Sequence, residues 1–149
     1  MSDSTLPDYR ELLEHAIATH LTTNGLTRYS PTYNGPGLPA IFRGKLPDKP
    51  DAAILINVYN EDYTRDDGSP DLYVQFRFRT PGQDTRTTNA LAHSVFQLLH
   101  FTTDESNQVW AGVNVLNSRR TIAGPVELDG NNRYSRPDSY RITINPTTP

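Results

Sequence analysis

The side chains that could do chemistry are few, and their spacing argues against most of it. The four histidines are His15, His20, His93 and His100. None sits at the i, i+4 separation that puts two imidazoles on one helix face for a metal, so all four read as rim or solvent-facing residues. Residues 35–40, Gly-Pro-Gly-Leu-Pro-Ala, match a dinucleotide-turn pattern in letters. That turn works through free amides between a strand and a helix N-terminus; Pro36 and Pro39 remove two amides and no helix pattern follows. The match is fortuitous. Glu61, Asp62, Asp66, Asp67 and Asp71 gather carboxylates within one segment. They do not fall at the alternate positions of a calcium loop, and a solvated acidic turn is the expectation. There is no cysteine, which removes thiol nucleophiles, cysteine-ligated metals and disulfides. No nucleophile elbow or phosphate-binding loop is present either. The expectation is no catalytic residue, no cofactor and no metal.

What the chain does offer is surface suited to other proteins. Tyr73, Gln75, Arg77 and Arg79 alternate along one predicted strand and project together. Tyr29, Tyr33, Tyr59 and Tyr63 gather around two long connections, and Arg119 and Arg120 stand on a third. Trp110 is expected near the same outward face or on its rim. Tyrosine, tryptophan and arginine are enriched where interfaces hold most tightly. A half-exposed antiparallel sheet also carries such residues, and a GC-rich host genome would favour arginine. The 14 basic residues include only two lysines, Lys45 and Lys49.

Composition frames that reading. A chain of 149 residues suits one domain, here 1–149 with terminal tails at 1–6 and 145–149. Hydrophobic residues make up 35%, and the 9 glycines leave the apolar share short of the ~45–50% usual for a self-sufficient globule. Part of the surface is therefore expected to be hidden by partners. The formal charge of −3 does not favour nonspecific nucleic-acid binding. No apolar run approaches the ~18 residues of a membrane span, and the acidic N-terminus lacks a signal peptide's basic start, so synthesis in a cytoplasm is expected.

The elements that position these residues follow from periodicity. Asp8 and Glu11 have capping-box spacing ahead of an apolar stripe from Tyr9 to Leu21, with Asn24-Gly25 as the stop. A second helix starts at the N-cap Asp84 and ends near His100. Residues 52–59 form a continuous apolar run, predicting a strand covered on both faces. Residues 72–79, 109–116 and 140–144 predict further strands, with weaker hairpin-like pieces at 40–44 and 126–128. Residues 30–39, 60–71 and 117–138 are expected to be long connections. The order predicts an α+β domain with two helices packed on one mainly antiparallel sheet.

Several pieces in this order resemble one known family. They are Tyr29-Ser30-Pro31, then residues 44–51 (Gly-Lys-Leu-Pro-Asp-Lys-Pro-Asp), then 74–79 (Val-Gln-Phe-Arg-Phe-Arg). Asp84-Thr85-Arg86, Leu98-Leu99-His100 and the stretch 129–144 complete the pattern. It is similar to the tail-terminator, or minor capsid, proteins of long-tailed bacteriophages. That resemblance implies a structural subunit of a ring, six copies in known tails, made in the host cytoplasm and carried in the virion neck. The ring would cap the finished tail tube, stop its polymerisation and join it to the head connector, while genomic DNA passes through without specific binding. Another head- or tail-completion protein of the neck is the near alternative. A small cytoplasmic α+β enzyme or ligand-binding domain is the more distant one.

Overall fold

The computed structural model describes residues 7–29, 38–82, 84–102 and 107–145. Helix α1 spans Tyr9–Thr23 and strand β1 Ala40–Arg43; β2 (Ala53–Asp62) and β3 (Asp71–Pro81) follow, then helix α2 (Thr85–Leu99). The chain continues with β4 (Gln108–Trp110), β5 (Val113–Ala123), β6 (Glu127–Leu128) and β7 (Arg133–Asn145). The strands form one sheet in the order β1-β2-β3-β7-β5-β4, with β6 pairing on β7 beyond the end of β5. Among the described residues only β1–β2 is parallel; the other pairings are antiparallel. The piece at 40–44 is thus a strand edge in parallel register, not part of a hairpin.

Both helices start where the sequence places their caps. Asp8 accepts a hydrogen bond from the Glu11 amide at 3.1 Å, and Asp84 accepts one from Arg86 at 2.9 Å, each satisfying an amide that the first helical turn leaves open. The reciprocal half of the first capping box is not made, because the Glu11 carboxylate pairs with Arg43 of β1 instead. Gly25 stops α1 in the left-handed region at φ 81°.

The core lies between the helices and one face of the sheet. Ile54, Ile56 and Val58 of β2, Leu72, Val74, Phe76 and Phe78 of β3, and Tyr140, Ile142 and Ile144 of β7 point to it. Leu13, Ile17 and Leu21 of α1 and Ala92, Val95 and Leu99 of α2 close it from above. Each fully buried side chain of this size contributes ~1.5–3 kcal/mol. Trp110 belongs here: it is wholly buried, stacks on His20 and meets Phe101 edge-on. Its expected place on the outer rim is wrong, because β4 is a short edge strand that turns the indole inward beneath α1.

Three other expectations change. β2 is covered on one face only, since Leu55 is half-buried and Asn57 and Tyr59 are exposed opposite Ile54, Ile56 and Val58. The 60–71 connection shrinks to residues 63–70, because β2 and β3 stay paired out to Asp62↔Asp71. The 117–138 connection is mostly strand: β5 runs to Ala123 and β7 starts at Arg133. Bulges at Val115/Asn117 and Arg120/Ile122, together with Pro137, break the alternation that would have marked these strands. Pro137 sits where the outer side of β7 passes from β5 to β6, a position that tolerates a missing N–H. Asn145 ends β7 instead of opening a tail; residues 1–6 and 146–149 and most of the 30–39 connection, Tyr33 included, lie outside the described residues.

Candidate functional site

With one sheet face covered by helices, the opposite face is open, and strand register lines up its side chains in rows. One row reads Tyr73 on β3, Arg141 on β7 and Arg119 on β5. Tyr59, 50% exposed at the β2 bulge, leans on Tyr73 with ring centroids 6.3 Å apart. A second row contains Gln75 and Ser139, and a third runs Phe42, Leu55, Arg77, Pro137. Arg77 reaches the Ser135 hydroxyl at 3.3 Å, and Arg119 reaches Asn117 at 3.4 Å. Tyr73, Gln75, Arg77 and Arg119 therefore share the face on which the sequence places outward residues. Arg141 and Asn57 join them; the 140–144 strand pattern, with Tyr140 and Ile142 inward, already carries the signal for Arg141.

Arg79 departs from this group. It alternates with Arg77, yet it is only 5% exposed, because residues 44–52 fold over that end of the sheet. Its guanidinium donates to the backbone carbonyls of Asp48 (3.3 Å), Pro50 (2.6 Å) and Asp51 (3.0 Å). Arg133 grips the same segment from β7, reaching Asp48 and Asp51 carboxylates at 3.2 and 3.3 Å and Asp129 at 2.9 Å. Burial, with the nearby Arg133 charge, draws Arg79 below the ordinary arginine value. Arg79 is thus a structural clamp and not an outward contact.

Arg120 also leaves the group. Consecutive strand residues face opposite ways, so Arg119 is on the open face and Arg120 on the helix side. There its guanidinium lies 4.0 Å above the Phe96 ring and 3.4 Å from Asp138. Asp138 is wholly buried and accepts from Arg136 at 2.8 Å and the Gly124 amide at 3.2 Å as well. Arg136 in turn donates to Asn89 of α2 at 2.8 Å, tying that helix to the sheet.

The acidic turn forms a second, separate surface. Tyr63 packs on Tyr9 at 6.0 Å and donates to Glu61 at 2.6 Å; burial and that carboxylate push its phenol up to about 12. Tyr63 is therefore a prop inside the turn. Asp62 accepts from the Thr64 hydroxyl and amide, which holds it below the usual carboxylate range. Asp66 and Asp67 are exposed at the tip. Among the described residues no group of three potential ligands is placed to hold a metal. His15 meets Tyr29, His20 stacks on Trp110, and His100 accepts from the Arg120 amide at 3.0 Å, so three of the four histidines have structural contacts. No described helix is long and apolar enough to cross a membrane.

Comparison with known proteins agrees with this layout. The solved structure titled "Virion of native gene transfer agent (GTA) particle" contains a chain of similar fold, with TM-score 0.56 and 14% identity; the match covers 89% of this chain and 93% of that one. No curated protein matches. The family described as "Bacteriophage tail terminator protein" matches residues 20–146, a span that takes in the clamp, the open face and the acidic turn. A match over so much of the sequence makes the chain a member of the bacteriophage tail terminator family, a virion structural protein.

Proposed function

We propose that this protein is the tail terminator itself: a ring-forming subunit, six to a ring, that caps the completed tail tube and stops its growth. The same ring joins the tube to the head's connector, and genomic DNA passes through it without being held. The role is structural and the protein works in the virion neck. The observation that carries this reading is the family match over residues 20–146. A face of tyrosine and arginine outside a well-filled core supports it. Tyr73, Gln75, Arg77 and Arg119 are assigned to protein contacts, as are Asp62, Asp66 and Asp67 of the turn. Tyr33 is expected to join them from the 30–39 connection.

The test is tube length. Tail tubes assembled without this protein should be overlong and heterogeneous by negative-stain microscopy, and adding it should cap them at one end. Normal tube lengths in its absence, with heads that fail to attach, would instead assign it to head completion.

A further inference from the structure

We propose that the acidic β2–β3 turn of one copy docks, head to tail, on the arginine–tyrosine sheet face of a second copy. This rests on the ring reading above and adds which two surfaces meet. The first observation is a mismatch built into the sheet. Arg119 and Arg141 stand directly opposite each other across β5 and β7 on the open face. Like charges in that position destabilise a sheet. Arg141 is exposed and makes no ion pair among the described residues, and Arg77 on the same face reaches only a hydroxyl. Incoming carboxylates relieve this repulsion, and arginine accepts them in a two-point fork.

The second observation is the reverse mismatch in the turn. Asp62 and Asp71 are opposite each other across β2 and β3. Asp71 is answered within the chain by Arg65 and by the Thr143 hydroxyl. Arg65, the turn's one cation, is spent there and on the Ser69 carbonyl, leaving Asp62, Asp66 and Asp67 directed outward. The turn is held in shape. The Tyr9 hydroxyl donates to the Asp67 carbonyl at 3.2 Å, Arg10 pairs with Glu61 at 3.2 Å, and Asp66 accepts from the Gly68 amide at 2.8 Å. Little ordering is then left to be lost on docking. The tether to α1 also keeps the turn on the helix side, so it does not curl over its own open face. Two different patches meeting between copies make a heterologous contact, the kind that closes into rings or grows into filaments. Tyr59 and Tyr73 flank the docking row as aromatic anchors.

The lack of cysteine makes a direct test available. Gly68→Cys and Gln75→Cys are made in separate chains, leaving every charge in place, and treated with a short bis-maleimide linker alone and mixed. The expected result is a cross-linked pair about tenfold more abundant in the mixture than in either variant alone, decreasing with added salt. In parallel, Asp66→Arg with Asp67→Arg should abolish the product. Arg77→Asp with Arg141→Asp should abolish it too, and all four changes in one chain should restore it. A dominant product from either cysteine variant alone would show a two-fold contact and overturn the proposal. So would a mixture with no excess product, or a four-fold variant that folds without rescue. Binding of a single-stranded oligonucleotide that is lost with Arg77→Asp and Arg141→Asp, with no mixed cross-link, would give the face to nucleic acid. Tube length is measured on the same samples: length control without the cross-link overturns this contact and leaves the terminator reading standing.

Discussion

Arg77 and Arg79 are two residues apart on β3 and point the same way, yet one is open to partners and the other is locked inside the molecule. The difference lies in what crosses above them. Residues 44–52 lie over Arg79 and hand it three carbonyls, whereas above Arg77 there is only Ser135 beside it and solvent. Side-chain type and strand period fix the direction of an arginine. Whether it serves the fold or a partner is decided by segments far away in sequence.

That contrast can be broken from its buried side first. Asp138→Ala strips the carboxylate from between Arg120 and Arg136 and leaves two half-buried guanidiniums facing each other. A loss of about 3–5 kcal/mol in urea unfolding is expected, the size seen when one partner of a buried ion pair is removed. Arg79→Ala is expected to cost about 2–3 kcal/mol by the same measurement, since three carbonyls lose a charged donor. Arg79→Lys should recover little, because one ammonium cannot replace the planar fork.

Arg77→Ala sharpens the comparison from the open side. Its unfolding free energy should stay within about 0.5 kcal/mol of the parent, while self-association measured by sedimentation weakens about tenfold. If Arg77→Ala instead unfolds the chain and leaves assembly intact, the two arginines have been assigned the wrong way round.

The smallest effect concerns protons. Burial, and then the nearby Arg119 and Arg120 charges, lower the pKa of His100, and burial lowers that of His20. The unfolded chain therefore binds more protons than the folded one below about pH 6.5, so stability is full above that value and falls as acid is added. The urea midpoint should drop between about pH 7 and pH 5, and His100→Asn should make the drop shallower.

Much of the architecture was legible because it rests on local rules. Asp8 and Asp84 marked the helix starts, and the alternation from Leu72 to Phe78 marked β3 and its two faces. What was not legible depended on breaks in those rules. Two bulges in β5 and a proline within β7 hid two long strands inside an expected connection, and with them the fact that Arg119 and Arg120 face opposite ways. Trp110 was misplaced because a three-residue strand carries too short a pattern to assign a face. The open face was half readable: Tyr73, Gln75 and Arg77 came from one strand's period, but Arg141 beside Arg119 needed the pairing register.

The acidic turn is the far end of two strands that run back through the centre of the sheet, and this has a mechanical consequence. β3 is paired along its whole length on both sides, with β2 and with β7 from Asp71↔Thr143 to Pro81↔Arg133. A pull on the tip along the strand axis loads these ladders in shear, so many hydrogen bonds must yield together. A sideways pull would open them one at a time, like a zip. A subunit gripped at this point is therefore toughest along the direction of β3, and a tail under tension would be best served by a ring in which that strand lies along the line of force.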